Sequence, residues 1–213
     1  IVTGCMAQRY KEEITQEIPE VDAVLGTTSY GDIVKALNEA QAGHVFQEFR
    51  DINELPEDSG RRVLTTGGHF GYLKIAEGCD KHCTYCIIPS LRGKFRSVPE
   101  ERLLAQAEYM ASQGVKELIL VAQETTVYGT DLYGKKTLHI LLKKLCQIKG
   151  IRWIRVLYCY PEEIYDELIQ VMKEEKKICN YLDLPIQHAS DRILKRMGRR
   201  TTRKQLEDII AKL

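Results

Sequence analysis

The sequence is short of most features that would mark an unusual protein. It has no charge imbalance: 31 Lys and Arg face 30 Asp and Glu, a formal net charge of +1. That excludes a polybasic nucleic-acid tail or an acidic disordered chain as the dominant feature. It has no long apolar run. The strongest, LILVA at 118–122, is far below the ~20 residues that cross a bilayer. Low-complexity segments, short-period repeats and a recognisable signal peptide are all missing. Nor is the cysteine count even. Seven cysteines in a chain this long do not read as a secreted disulfide framework. What is present is an ordinary globular mix, 44% hydrophobic and 29% charged, in a chain able to bury roughly 70% of its unfolded surface without staples. Ile1 leads straight into a strand-like run, so the sequence is expected to be a piece of a longer chain.

Hydrophobic periodicity divides the chain. Strand-like residues 1–3 and 21–26 alternate with helical patterns at 7–18 and 30–40, the order of half an open α/β domain. The pattern breaks down from about 43 to 68, where Pro56, Asp58, Ser59 and Gly60 precede Arg61 and Arg62; this stretch is expected to be a linker. Regular alternation then resumes. Strands are expected at 72–76, 116–122, 151–159 and 181–186. Helices are expected at 97–113, 137–148, 161–177, 191–197 and 203–213, with Ser97 and Glu100 at capping-box spacing. Strand–helix repeats of roughly 30–45 residues are those of a parallel barrel or doubly wound sheet. With four such strands, the barrel is expected to be truncated at its C-terminal end.

The strongest chemical signal is Cys79-Asp80-Lys81-His82-Cys83-Thr84-Tyr85-Cys86, directly after the first of these strands. Three thiolates in one tight loop can hold three irons of a 4Fe–4S cube and leave the fourth open to a chelating small molecule. The strand end is also where barrels place their active sites. A zinc knuckle is the alternative, with His82 as fourth ligand, but zinc favours four closed ligands and a spacing this loop does not offer. Clustered thiols with scattered single ones fit a cytoplasmic protein.

The loop, with Tyr85 before its third cysteine, carries the signature of radical S-adenosylmethionine enzymes. Glu77 to Pro89 and Leu91 to Ser97 resemble the methylthiotransferase branch of that family. Gly4-Cys5-Met6-Ala7-Gln8-Arg9 is similar to the branch's third cysteine motif. The stretches 123–129 and 157–163 resemble enzymes that modify an aspartate of small-subunit ribosomal protein S-twelve more than relatives acting on transfer-RNA adenosine. Leu184 to His188 fits the whole branch.

The resemblance implies an α/β fold: a partial parallel (β/α) barrel of the radical SAM type, 69–213, after a linker, 44–68, and part of an open α/β domain, 1–43. It implies two 4Fe–4S clusters, one on Cys79, Cys83 and Cys86 and one to which Cys5 contributes, and S-adenosyl-L-methionine as cofactor. The reaction it implies replaces C–H by C–S–CH3 on the β-carbon of an aspartate. Partners would be ribosomal protein S-twelve or the small ribosomal subunit and a reductant such as flavodoxin or ferredoxin, with no membrane. A non-enzymatic iron–sulfur or zinc module stays open as a further alternative.

Strand-end position makes Gln123 and Glu124 candidates for the sulfonium donor's amino group or ribose, and Tyr85 a candidate for its adenine. Gln187 and His188 would face cofactor or substrate. Cys146, Cys159, Cys179, His69 and His139 read as packing. Lys195, Arg196, Arg199, Arg200, Arg203 and Lys204 form a basic cluster. It is either a solvated helix end, a contact for the donor's carboxylate, or an attraction to ribosomal RNA.

Overall fold

The computed structural model describes residues 1–56 and 63–213. The expected turn at Asp58, Ser59, Gly60, Arg61 and Arg62 lies outside the described residues. The chain divides into two compact units, residues 1–62 with 87–94, and residues 63–86 with 95–213.

In the first unit, β1 (Val2–Thr3) leads through α1 (Cys5–Glu17) to β2 (Ala23–Leu25), and α2 (Ile33–Gln41) leads to β3 (Phe46–Glu48). The three strands are parallel, in the order β1-β2-β3. β2 shows why three apolar residues suffice. Successive side chains point to opposite faces, so Val24 packs on Ala7 and Ile14 of α1 while Ala23 and Leu25 pack on Ala36 of α2. Strand β3 corrects the linker expectation, since 46–48 completes this sheet. Its pattern, Phe-Gln-Glu, is too short and too polar to stand out by periodicity, and only pairing with β2 reveals it.

The second unit begins with β4 (Phe70–Lys74) and β5 (Ala76–Glu77). Next in sequence comes α3 (Ile88–Arg92), which belongs to the first unit, followed by β6 (Arg96–Ser97), α4 (Glu100–Ser112) and β7 (Glu117–Val121). The chain continues through α5 (Thr130–Tyr133), α6 (Leu138–Cys146), β8 (Trp153–Val156), α7 (Asp166–Glu174), β9 (Ile178–Leu182), α8 (Asp191–Arg196) and α9 (Arg203–Lys212). β4, β7, β8 and β9 lie side by side in that order, all parallel. This is the expected partial β/α barrel. β5 and β6 form a separate antiparallel pair.

Leu118 and Leu120 on one face of β7 are fully buried with Leu73, Ile154 and Val156. Helices cover that face with apolar stripes at helical spacing: Leu103, Ala107 and Met110 of α4, and Leu138, Leu141, Leu142 and Leu145 of α6. Each fully buried leucine contributes about 2 kcal/mol. Gly71 lets α4 approach β4, since a Cβ there would sit 3.2 Å from the Met110 Sδ.

Several boundaries differ from expectation. Helix α4 starts at Glu100 after Pro99, without a side-chain cap. Ser97 is instead a strand residue whose Oγ donates to Asp131 Oδ1 at 2.6 Å and accepts from the Gly129 N–H at 2.9 Å. A capping box does occur at α9, between Thr202 and Gln205. The expected helix 161–177 is a short 3-10 turn, Pro161–Glu163, followed by α7. The last strand runs from 178 rather than 181 and takes in Cys179.

Candidate functional site

The cysteine loop leaves β5 through Gly78, whose backbone sits at φ +75, a left-handed conformation that glycine adopts without penalty. The Gly78 N–H donates to the Gln123 Oε1 at 2.7 Å. The residue closing β7 therefore fixes the first turn of the loop. Asp80 closes it from the other side, its Oδ1 accepting from the Phe95 N–H at 3.0 Å. Within the loop the Lys81 N–H donates to Cys79 Sγ at 3.4 Å, and the Cys86 N–H to the Cys83 carbonyl at 3.0 Å. Cys79 and Cys83 are buried and Cys86 is exposed.

Burial pushes the Cys79 thiol up to about 11, with smaller rises from the neighbouring Glu124, Cys86 and Cys83. Such a thiol stays protonated at neutral pH unless a cation offsets the desolvation. Among the described residues, no group of three or more His, Cys, Asp or Glu side chains closes around a single ion. A structural zinc needs that closed set. Three thiols on one loop, two of them withdrawn from water, are the donor type that iron–sulfur clusters take. No disulfide joins any of the cysteines.

Glu124 is 1% exposed, with Oε1 held by the Thr126 backbone N–H at 3.2 Å and by the Thr126 hydroxyl. Its Oε2 is buried without a hydrogen-bond partner among the described residues. Burial is the main cause that raises its carboxyl to about 7. A lone buried acceptor of this kind is where a cationic or N–H-bearing ligand gains most. Tyr85 is exposed, with its phenol beside Cys83 and Arg199. Gln187 and His188 lie together on an exposed loop after β9. Gln187 is in the left-handed region at φ +65, and His188 Nδ1 accepts from the Ser190 N–H at 2.9 Å.

Sequence reasoning gave no role to Tyr160, which follows β8. Burial raises its phenol, and Cys79 and Cys83 add to the rise. Lys81 Nζ stands 5.4 Å and Arg199 Cζ 4.3 Å from its ring centroid. Lys81 is also paired with Glu163, which holds Lys136 at 2.8 Å. The structure also divides the basic cluster. Arg203 and Lys204 are exposed and pair with Glu207 and Asp208 one helical turn later. Arg199 is 5% exposed, its Nη2 bound to Glu162 Oε2 at 2.9 Å and to the Pro185 carbonyl at 3.1 Å. Three members of the cluster are therefore compensated, Arg203 and Lys204 within their own helix and Arg199 by Glu162. The signal for Arg199 was visible only as one arginine among six basic residues.

Cys146 and Cys159 are buried, the latter with its thiol pushed up to about 12 by desolvation. Cys5 is half-buried in the first unit, where its Sγ accepts from Arg92 Nε at 3.2 Å.

No helix among the described residues is long and apolar enough to cross a membrane. Comparison with known proteins gives three results. The chain is 64% identical over all 213 residues to "Ribosomal protein uS12 methylthiotransferase RimO" of Lachnoclostridium phytofermentans, covering 48% of that protein. It is 53% identical to the protein of the same name from Clostridium botulinum strain Eklund 17B, again covering 48% of it. The chain thus spans about half the length of the curated relatives it matches. Among solved structures, the cobalamin-dependent S-adenosylmethionine radical enzyme OxsB aligns with a TM-score of 0.64 at 18% identity, covering 98% of this chain and 34% of that one. The radical S-adenosylmethionine methyltransferase TsrM of Kitasatospora setae aligns at 0.53 and 15% identity, over 68% of this chain and 28% of that one. These two likenesses show the fold. Residues 73–213, which contain the cysteine loop and the ends of β4, β7, β8 and β9, match the model of the radical SAM superfamily. The chain belongs to that superfamily, which carries a 4Fe–4S cluster and uses S-adenosylmethionine.

Proposed function

We propose that this chain is the cluster-bearing part of a methylthiotransferase that modifies the β-carbon of an aspartate in ribosomal protein uS12, with Cys79, Cys83 and Cys86 as the ligands of its 4Fe–4S cluster. The observation that carries the reading is the three-thiol loop at the strand end, with two sulfurs withdrawn from water and a partnerless carboxylate oxygen of Glu124 in the same site. Identity of 64% to a uS12 methylthiotransferase supports the substrate. Bound there, the cluster supplies the single electron needed to cleave a sulfonium and so attack an unactivated C–H bond.

The chain's own residues bind and orient. Gln123 fixes the entry turn of the loop through Gly78 and keeps its amide N–H groups for the cofactor. Glu124 offers its open oxygen to the donor's amino group or ribose. Tyr85, Gln187 and His188, all exposed, are assigned to cofactor or substrate contact. In the first unit Cys5 is assigned to a second 4Fe–4S cluster, with Arg92 as hydrogen-bond donor to its sulfur. The first unit, which includes β3 and α3, is assigned to the domain of that cluster, and the second unit, 63–86 with 95–213, to the barrel. We assign the small ribosomal subunit and a flavodoxin- or ferredoxin-like reductant as partners, and the cytoplasm as compartment.

The test is anaerobic reconstitution with iron and sulfide. Iron, the visible absorption of a cube and a reduced-state EPR signal are expected in the wild type and absent in Cys83→Ala. With donor and reductant, 5′-deoxyadenosine is expected. Tightly bound zinc in place of iron overturns the cluster assignment. A full-length enzyme that adds the methylthio mass to transfer RNA and not to uS12 overturns the substrate assignment.

A further inference from the structure

Arg199 is the most deeply buried cation described here, with a side chain 1% exposed against 12% for its partner Glu162. The charge therefore lies deeper than the charge that balances it, and water screens the anion more than the cation. Only Nη2 is used by protein acceptors; Nε and Nη1 are buried without a hydrogen-bond partner among the described residues. Buried donors left open are costly unless something else accepts from them.

The surroundings point to what that is. The guanidinium lies over the Tyr160 ring, 4.3 Å from its centroid. The turn that carries Arg199 is bound directly to the cysteine loop. The Thr84 N–H donates to the Met197 carbonyl at 3.0 Å and the Thr84 hydroxyl to the Arg196 carbonyl at 3.1 Å. Gly198 has no room for a side chain beneath His82.

We propose that the turn at Met197, Gly198 and Arg199 is the floor of the three-cysteine site, and that Arg199 is a positioning residue with two effects. It clamps Tyr160 and the cysteine loop in place. Its buried charge and open N–H donors stabilise the extra electron of a reduced cluster and so raise the cluster's reduction potential. The inference rests on the reading that the three cysteines hold a 4Fe–4S cluster. It adds a residue to which the sequence gave only a place in a surface charge cluster. Net charge and hydrogen bonds to the sulfurs are what set such potentials.

The experiment is an EPR-monitored redox titration of the anaerobically reconstituted full-length protein, with hydrogen exchange of the loop measured in parallel. Arg199→Met is expected to retain the cube and show about tenfold less reduced cluster at a fixed solution potential, equivalent to 59 mV for a one-electron couple. Arg199→Lys is expected to keep most of the wild-type potential, because it keeps the charge. Its exchange at 82–85 should still quicken, because the guanidinium's close contact with the Tyr160 ring is lost. Glu162→Gln is expected to move the potential the other way, with several-fold more reduced cluster, and it decides the question if Arg199→Met does not fold. Variants that bind a full cube and titrate together with the wild type overturn the inference while leaving the cluster assignment intact. A wild type that binds no cube overturns both.

Discussion

Gly198 lies so close to His82 that a Cβ on the glycine would stand 2.8 Å from the histidine carbonyl oxygen. The two residues are far apart in sequence, and their contact sets how the turn after α8 meets the cysteine loop. The backbone of Gly198 is also at φ +72, which an L side chain adopts only under strain. Gly198→Ala therefore meets two penalties, and a loss of about 2 kcal/mol in chemical denaturation is expected. Unchanged stability would mean that the turn does not bear on the loop.

Ser97 joins β6 to the start of α5. Its backbone N–H and hydroxyl donate to the two oxygens of Asp131 at 2.8 and 2.6 Å, while its Oγ accepts from the Gly129 N–H at 2.9 Å. Ser97→Ala leaves the Gly129 donor buried without an acceptor and removes a charge-assisted bond. A loss of about 1–3 kcal/mol is expected, and urea denaturation measures it. A loss below a few tenths of a kcal/mol would show that water replaces the hydroxyl.

His139 predicts a pH dependence. Desolvation lowers its imidazole below the ordinary 6.5, and the ring packs on Tyr165, with Nδ1 3.1 Å from the phenol oxygen. Below pH 6.5 the unfolded chain therefore binds more protons than the folded one, so stability falls as the pH drops through 6.5 toward the folded value. Above 6.5 this contribution is fully present. His139→Gln is expected to flatten the difference in unfolding free energy between pH 7.5 and pH 5.5. An identical pH slope in the variant would show that other groups carry it.

The thiols should differ sharply in reactivity in the cluster-free protein. Cys86 is exposed, whereas Cys146 and Cys159 are buried with thiols pushed up to about 11 and about 12 by desolvation. Brief alkylation of native protein at pH 8 is expected to label Cys86 and to spare Cys146 and Cys159 until denaturant is added. Mass spectrometry of the digested protein reads this directly. Native labelling of Cys159 would contradict its packing beside Thr125.

The parallel strands and their covering helices were legible because burial imposes a period. Leu118 and Leu120 on a strand, and Leu138, Leu141, Leu142 and Leu145 on a helix, announce their faces in the sequence. Strand β3 was not legible, since three residues show no period and its stability comes from pairing with β2. The Ser97 capping expectation failed for a related reason. The spacing was right for a cap, but the hydroxyl was taken by Asp131 and Gly129, and no local rule contains those partners.

For the site, the sequence by itself brought Cys79, Cys83 and Cys86 together, because three cysteines within eight residues need no long-range folding to lie near one another. The radical SAM assignment rests largely on that local pattern. Only the tertiary structure decided what surrounds the thiols. Gln123 holds Gly78, Tyr160 stands between Lys81 and Arg199, and Arg199 is singled out from its basic neighbours by burial. Each of these contacts joins segments tens of residues apart. Burial and pairing of a charge depend on which strand ends the sheet brings together, and short-range sequence pattern carries no record of that.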